Sequence, residues 1–213
     1  MGTYLESLWR KKALIVFSLV WLGAIGSGYS LLVRYENTPG LSAPPPSVWP
    51  SGSKIQLSKI QPTLIMLVHP RCPCSRASLE ELSRLLTVCK GKVTAKVIFY
   101  KPAGGGAEWS ESRLWKQAQA IPGLDVIEDT GGAEVLRFHA ATSGQTLLYA
   151  PDGKLLFSGG ITASRGHSGD NPGEDSIKAI LYGKSGALAK TPVFGCSLHD
   201  RNFKKVKGFK FGS

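Results

Sequence analysis

Internal repeats are absent from this sequence, acidic residues are scarce, and cysteine occurs only four times. The absence of repeats excludes an architecture of stacked modules. Aspartate and glutamate number 15 against 26 lysines and arginines, and residues 184–213 supply +6 of the net charge of +11. This basic tail suits a nucleic acid, an anionic lipid surface or an acidic protein as a partner. A solvated, disordered end is its simplest interpretation.

Charged residues are also missing from the 21-residue stretch Ala13–Val33, which is apolar and long enough to cross a bilayer as a helix. Arg10, Lys11 and Lys12 precede it, so the positive-inside rule predicts a cytoplasmic N-terminus. We therefore expect a single-pass anchor in a bacterial inner membrane and a periplasmic domain, a compartment that excludes nucleic acid as a partner. A cleaved signal peptide is the alternative, with residues 24–26 as a small-x-small cleavage site.

Composition divides the chain into four parts. Residues 1–36 form the membrane anchor, and residues 37–58 are a proline-rich linker that we interpret as a semi-stiff spacer. Residues 59–183, about 125 in number, are enough for one compact domain with its own core. Residues 184–213 are the basic C-terminal tail, which carries Cys196.

Hydrophobic periodicity within residues 59–183 alternates between the strand and helix patterns. The expected strands are 62–69, 93–100, 124–128, 146–149 and 154–158, and the expected helices are 74–88, 109–120, 132–139 and 175–182. Pro151-Asp152-Gly153 is typical of a hairpin turn between the last two strands. This order predicts an α/β fold with a central mixed sheet and helices on both faces.

The motif that carries chemistry is His-Pro-Arg-Cys-Pro-Cys-Ser at residues 69–75, where the first strand passes into the first helix. Unpaired N–H groups at a helix N-terminus favour anions, and we expect Cys72 to lie there beside the positive charge of Arg71. Both effects favour the thiolate, which attacks disulfides and binds soft metals. The alternative is two cysteines packed at a turn as small apolar side chains. We interpret the motif as a redox or metal site.

This junction, together with segments 129–149 and 152–153, resembles the thioredoxin superfamily, in particular its membrane-anchored TlpA/ResA-like branch. The Cys-Pro-Cys motif, Ser-Gly-Gly-Ile-Thr at 158–162 and Thr-Pro-Val-Phe-Gly-Cys at 191–196 are most similar to the RedB-type thioredoxin-like proteins. The resemblance implies a thioredoxin-like three-layer fold with a central mixed sheet, and it implies thiol–disulfide exchange.

Two positions depart from the thioredoxin pattern. When Cys72 is aligned with the first cysteine of Cys-x-x-Cys, Ser75 takes the place of the second thiol. Gly144 stands where the superfamily has a cis-proline. The peroxiredoxin pattern is absent, because it requires proline at position 65 and threonine at position 69, where this chain has Ile65 and His69.

Three cysteines are the candidate catalytic residues: Cys72 as the nucleophile, and Cys74 or Cys196 as the resolving thiol. A Cys72–Cys74 disulfide closes a small, strained ring, and strained disulfides have oxidising potentials. The same pair can alternatively bind Cu(I), with His69 or Cys196 completing the site. Cys89 falls on the apolar stripe of the first helix, and we expect it in the core.

The C-terminal segment is expected to return to the cysteine turn, because the 13 residues from Lys184 to Cys196 are long enough to span the domain. The alternative is that Cys196 is a single cysteine buried under the tail with a packing role. Residues 159–162 and the loop 165–171 should rim this edge, where glycines let a partner backbone approach. His167 in that loop is either a proton carrier or ligand, or part of a polar turn that caps the last helix. The residues expected to support the thiols are His69, Pro70, Arg71, Pro73, Ser75, Gly144, Gln145 and His167.

The leading hypothesis is a membrane-tethered periplasmic thiol–disulfide oxidoreductase. It requires no cofactor and acts on a thiol- or disulfide-bearing periplasmic protein. One alternative is a Cu(I)-binding or metal-delivery protein with the same fold, in which copper is bound by Cys72 and Cys74. The other alternative is a non-catalytic module that docks a partner.

Overall fold

The computed structural model describes the backbone of residues 2–198 and the side-chain environments of residues 9–198. The chain divides into two compact units between Asn37 and Thr38. The interpretation of the basic tail beyond Leu198 lies outside the described residues.

The first unit is the helix α1, Gly2–Glu36. Within its stretch Trp9–Glu36, which contains the predicted span Ala13–Val33, an 18-residue window has a mean hydropathy of 1.7. The helix is therefore long and apolar enough to cross a membrane. It ends at Glu36, three residues before Pro39.

The second unit is built on a five-stranded mixed sheet with the order β3-β2-β1-β4-β5. The strands are β1 Thr63–Val68, β2 Thr94–Lys101, β3 Leu124–Thr130, β4 Gln145–Tyr149 and β5 Leu155–Gly159. β1, β2 and β3 are parallel, whereas β4 runs antiparallel to β1 and β5 antiparallel to β4. Leu67 pairs with Gln145, so β1 ends at the edge where β4 begins.

Side chains on the strands alternate between the two faces of the sheet. On β1, Leu64 and Met66 pack into one hydrophobic core, and Ile65 and Leu67 pack into the other. All of β1 is buried, which explains its continuous apolar sequence. The expected mixed sheet between two layers is confirmed.

The helices of the second unit are α2 Ser75–Val88, α3 Arg113–Gln119, α4 Ala133–Arg137 and α5 Pro172–Leu181, with a 3₁₀ turn Ala107–Trp109 before α3. The predicted helix 109–120 is divided in two, because the Ser112 side chain accepts the Trp115 N–H and caps α3 there. α5 begins earlier than the predicted Asp175, because Asn171 caps it and Pro172 suits its first turn.

The hairpin predicted from Pro-Asp-Gly is confirmed between β4 and β5. The Ala150 N–H donates to the Lys154 carbonyl at 2.8 Å, and the Gly153 N–H donates to the Ala150 carbonyl at 2.9 Å. Gly153 has φ +90°, a left-handed conformation that glycine adopts without steric cost.

Residues 38–58 lie along the folded unit. The Trp49 ring meets the rings of Phe138 and Tyr149 edge-on, with centroids 5.1 Å apart in both pairs. Ile55 is 6% exposed and belongs to the second core. Residues 38–58 therefore pack on the folded unit, whereas the sequence suggests a spacer. Burial of the apolar Trp49 and Ile55 side chains stabilises this packing.

Part of the C-terminal segment pairs with β5. The Ser158 N–H donates to the Ala189 carbonyl at 3.0 Å, and the Gly160 N–H donates to the Pro192 carbonyl at 3.1 Å. A Cβ added at Gly160 would lie 2.7 Å from the Pro192 oxygen, so glycine is needed at this close approach. The glycine-rich rim predicted to admit a partner backbone is thus occupied by the chain itself.

Candidate active site

The Cys-Pro-Cys motif forms two consecutive turns between β1 and α2. The Cys72 N–H donates to the His69 carbonyl at 3.0 Å, and the Ser75 N–H donates to the Cys72 carbonyl at 3.2 Å. Cys74 holds the N-cap position of α2. Cys72 therefore lies just before the helix rather than in its first turn, because Pro73 and Cys74 form the second turn. The Ser75 N–H nevertheless helps to lower the pKa of Cys72.

Three sulfur atoms meet at this junction. The Sγ atoms of Cys72, Cys74 and Cys196 all lie within 4.8 Å of one another, so the predicted return of Cys196 is confirmed. Cys72 is 1% exposed, whereas Cys74 and Cys196 are half-buried. Within residues 9–198 the cluster contains these three thiols and no histidine, so His69 does not complete it.

Cys196 is held by a short antiparallel pairing with the loop that precedes β4. The Ser143 N–H donates to the Cys196 carbonyl at 2.8 Å, and the Leu198 N–H donates to the Ala141 carbonyl at 2.9 Å. Leu198 is fully buried in the second core. A Cβ added at Gly195 would overlap the Ser143 carbonyl oxygen, so glycine alone permits this approach. The pairing fixes the position of the third thiol.

The Cys72 sulfur is surrounded by hydrogen-bond donors. The Cys196 N–H donates to it with a nitrogen–sulfur distance of 3.4 Å. The Cys196 thiol is the strongest influence, and together with the Ser75 hydroxyl and both N–H groups it lowers the pKa of Cys72 to about 4 against the opposing effect of burial. Cys72 is therefore a thiolate at neutral pH, which is the nucleophilic form of cysteine.

The other two thiols of the cluster remain protonated at neutral pH. The hydrogen bond to the Cys72 thiolate, followed by burial, raises the pKa of Cys196. Burial raises the pKa of Cys74, the negative charge of Cys72 adds to that effect, and the Arg165 guanidinium opposes it. A buried thiolate thus has two protonated thiols beside it.

Two serines connect Cys72 to the sheet. The His69 N–H donates to the Ser143 Oγ at 2.7 Å, and the Ser143 Oγ lies 2.7 Å from the Ser75 Oγ. The Ser143 hydroxyl can donate to Ser75, whose hydroxyl then donates to the Cys72 sulfur. Ser75, which replaces the second cysteine of Cys-x-x-Cys, therefore stabilises the thiolate. The sequence does not single out Ser143, because serine before glycine is common in turns.

Arg165 reaches the site from the loop between β5 and α5. Its Nη1 donates to the Gly195 carbonyl, and its Nε donates to the Thr38 carbonyl at 3.2 Å. His167 is exposed, and its Nδ1 lies 2.9 Å from the Arg165 carbonyl oxygen, a contact within the loop. The structure thus brings Arg165 to the segment that carries Cys196, and it does not bring His167 into the thiol cluster.

A cluster of three aromatic rings, those of His69, Tyr100 and Trp109, lies beside the cysteine turn. The His69 ring stacks on Tyr100 with centroids 5.8 Å apart and meets Trp109 edge-on at 5.6 Å. The Arg71 guanidinium lies 4.2 Å from the centroid of the Trp109 ring, which is a cation–π contact. The groups that lower the pKa of Cys72 are Cys196 and Ser75 rather than the predicted Arg71, whose guanidinium lies on Trp109.

Gly144 and Gln145 shape the start of β4. Gly144 has φ +92°, and its N–H donates to the Leu67 carbonyl at 2.8 Å. Gln145 is buried, and its Oε1 accepts the Ala141 N–H at 3.3 Å. Both residues therefore support the loop against which the Cys196 segment pairs.

The remaining predicted residues lie around the turn and in the core. Pro70 is buried and Pro73 is exposed. Cys89 is fully buried in the first core, as expected, and burial raises its pKa. Cys89 is thus an unreactive thiol with a packing role.

No protein-family model and no curated protein matches the chain. Among solved structures, the chain is similar to an uncharacterized conserved protein from Geobacillus kaustophilus, with 23% identity and a TM-score of 0.57 over 78% of this chain and 93% of that chain. It is also similar to a hypothetical protein from Sinorhizobium meliloti, with 19% identity and a TM-score of 0.56 over 76% of this chain and 93% of that chain. Both likenesses show the fold alone.

A more distant likeness links the chain to a secreted disulfide oxidoreductase from Mycobacterium tuberculosis, with 15% identity and a TM-score of 0.40 over 70% of this chain and 97% of that chain. It is too distant to carry an argument about function. The sheet order, with helices on both faces and a cysteine turn after the central β1, matches the architecture that the sequence resemblance implies. The fold is thioredoxin-like. The three thiols of this thioredoxin-like domain lie at the carboxyl end of its central strand, where open α/β sheets place their sites.

Proposed function

We propose that the chain is a membrane-tethered periplasmic thiol–disulfide oxidoreductase whose Cys-Pro-Cys site supplies the attacking thiolate, Cys72. The resolving thiol is Cys196. The observation that carries the proposal is the contact between the two residues, since both the thiol and the N–H of Cys196 donate to the Cys72 sulfur. The substrate is a periplasmic protein with an accessible disulfide or dithiol. No cofactor is required, because the two thiols supply both electrons.

The first step is attack of the Cys72 thiolate on one sulfur of a substrate disulfide. A bond forms between the two sulfurs, the substrate S–S bond breaks, and the second substrate sulfur leaves with the electron pair as a thiolate. The product is a mixed disulfide in which Cys72 no longer carries a negative charge.

Loss of that charge activates Cys196 for the second step. The largest cause of its raised pKa is the hydrogen bond to the Cys72 thiolate, and the mixed disulfide removes this cause. The Cys196 proton passes to the substrate thiolate through solvent, and the Cys196 sulfur attacks the Cys72 sulfur. A Cys72–Cys196 disulfide forms, the bond between Cys72 and the substrate breaks, and the released substrate sulfur leaves as a thiolate that takes a proton from solvent to give the dithiol. The same two steps in reverse oxidise a substrate dithiol. In either direction, a second thiol- or disulfide-bearing protein returns Cys72 and Cys196 to their starting redox state.

The proposed location rests on α1 and its flanks. Arg10, Lys11 and Lys12 precede an apolar helix that is long enough to span a bilayer, which favours a cytoplasmic N-terminus and a periplasmic domain at the inner membrane. The periplasm is an oxidising compartment in which disulfides form and persist. The Cys-Pro-Cys and Thr-Pro-Val-Phe-Gly-Cys motifs favour the TlpA/ResA-like branch, nearest its RedB-type members.

Trapping of the mixed disulfide tests the proposal. The reduced full-length chain in detergent is mixed with an aromatic disulfide whose released thiol is coloured. Wild type should release both halves of the reagent, whereas Cys196→Ala should release one half and keep the other bound to Cys72. Cys72→Ala should show no fast release, and Cys89→Ala should behave as wild type. Retention of the bound half by Cys74→Ala instead of Cys196→Ala would overturn the assignment of the resolving thiol.

A further inference from the structure

The thiol cluster contains one sulfur more than disulfide exchange uses. The proposed reaction needs Cys72 and Cys196, yet the Cys74 sulfur lies within the same 4.8 Å set. Cys74 is half-buried and belongs to neither hydrophobic core, so apolar packing does not account for it. The proximity of the Cys74 sulfur to the sulfurs of Cys72 and Cys196 is the feature that requires an explanation.

We propose that Cys72, Cys74 and Cys196 form a three-coordinate thiolate site for one Cu(I) ion. Thiolate sulfur is the ligand type that selects Cu(I) in proteins. With metal–sulfur bonds of about 2.3 Å, three sulfurs around an ion in one plane lie about 4.0 Å apart. The three sulfurs are already within 4.8 Å of one another, so binding requires little rearrangement of the chain.

The number of ligands favours Cu(I) over other ions. Structural zinc sites are almost always tetrahedral with four ligands, and the cluster in the described part of the chain has three thiols and no histidine or carboxylate. Magnesium and calcium require oxygen ligands, which the cluster does not supply. Three sulfurs without a fourth side chain therefore match a soft ion of low coordination number.

The groups around the sulfurs suit a site with excess negative charge. Three thiolates outweigh the single positive charge of Cu(I), so the complex is anionic. The Cys196 N–H donates to the Cys72 sulfur at 3.4 Å, and the Arg165 guanidinium lies beside the same segment, where it donates to the Gly195 carbonyl. Hydrogen bonds and charges of this kind orient metal ligands and stabilise them.

The copper site and the disulfide exclude each other, because both use the sulfurs of Cys72 and Cys196. Oxidation passes two electrons from these thiolates to a substrate disulfide, converts them into a Cys72–Cys196 disulfide and leaves the ion with Cys74 alone. The ion remains Cu(I) throughout. The reduced chain should therefore hold copper and the oxidised chain should release it.

A competition titration with Cu(I) against a coloured chelator tests the site on the reduced full-length chain in detergent, without oxygen. Wild type should bind one Cu(I) per chain, with three sulfur neighbours in its X-ray absorption spectrum. Cys74→Ser should leave two sulfur neighbours. It should also lower the affinity by more than the roughly 10–100-fold that loss of an outer-sphere partner costs. Cys89→Ala, at the far end of α2, is the matched control and should bind as wild type.

The two proposals fail separately, because trapping of the mixed disulfide in Cys196→Ala tests the resolving thiol, whereas copper affinity and sulfur number in Cys74→Ser test the third ligand. Unchanged affinity and sulfur number in Cys74→Ser would overturn the copper site, and so would tighter binding of Zn(II) than of Cu(I) by wild type. Oxidised wild type provides a test that needs no substitution. It should bind no Cu(I), and undiminished binding would contradict a site built from these thiolates.

Discussion

At the residue scale, the chemistry depends on which groups touch a sulfur atom. Cys72 and Cys89 are both fully enclosed, yet their pKa values move in opposite directions. Cys89 lies among apolar side chains, and burial raises its pKa. Cys72 receives hydrogen bonds from Cys196 and Ser75, which lower its pKa despite burial. Local donors, rather than exposure, thus distinguish the reactive thiol.

The pH dependence of alkylation measures this difference. Because the pKa of Cys72 is lowered to about 4, its thiolate persists above that pH, and its alkylation rate should stay constant from neutral pH downward and fall only near pH 4. Cys196→Ala removes the largest cause of the shift, so the midpoint should move to higher pH. Mass spectrometry of the alkylated peptides gives the rates. A midpoint near 9, the ordinary thiol value, would contradict the account.

Ser143→Ala tests the serine connection. The substitution removes the hydroxyl oxygen that accepts the His69 N–H and that lies against the Ser75 hydroxyl. Loss of a buried hydrogen-bond partner should lower the free energy of unfolding by about 1–3 kcal/mol, and the alkylation midpoint of Cys72 should rise. Ser168→Ala, at an exposed serine, is the control. Equal midpoints in the two variants would show that Ser143 does not act on Cys72.

At the scale of elements, the site is assembled from the β1–α2 turn and a segment that returns from the C-terminal side of α5. The return depends on Gly195, whose lack of a side chain lets the backbone meet the Ser143 carbonyl. Leu198 then anchors the segment in the second core. The position of the resolving thiol is thus a property of backbone pairing between distant parts of the chain.

Gly195→Ala should displace this segment, because the added methyl group overlaps the Ser143 oxygen. We expect Cys196 to lose its contact with Cys72, so Cys72 should react as a thiol of higher pKa and the mixed disulfide should persist. Gly52→Ala is the control, since its added Cβ would lie 3.4 Å from a flexible arginine side chain. Wild-type exchange kinetics in Gly195→Ala would contradict the role given to the pairing.

The sequence predicts these elements unevenly. Apolar patterning predicts β1 and α2 to within a residue at each end, because both bury a continuous face. It misplaces the start of α5, where a side-chain cap rather than hydrophobicity sets the boundary. The three cysteines were predicted to meet, but Arg165 was not predicted to reach Gly195, because that contact joins loops whose approach depends on the whole fold.

At the scale of the whole molecule, an apolar helix precedes a thioredoxin-like unit whose only described thiol cluster within residues 9–198 is the one at the end of β1. Residues 38–58 pack on that unit, so the folded part begins soon after the helix ends. In the proposed anchored state, α1 would restrict the chain to the membrane and raise its effective concentration toward partners held there.

The proposed membrane topology rests on the charges that flank α1, and a reporter fusion tests it. A reporter that is active only in the cytoplasm, fused after Ser213, should remain silent, because the positive-inside rule keeps residues 10–12 in the cytoplasm. Fusion of the same reporter before Met1 is the control and should be active. Activity of the C-terminal fusion would contradict the orientation and, with it, the oxidising compartment on which the proposed function depends.

Disulfide mapping of the oxidised full-length chain tests the central claim most directly. Free thiols are alkylated first, and trypsin then gives one peptide with Cys72 and Cys74, and another with Cys196. The account predicts that these two peptides are linked and that fragmentation around Pro73 finds the alkyl label on Cys74. A Cys72–Cys74 disulfide within the first peptide, together with alkylated Cys196, would contradict it.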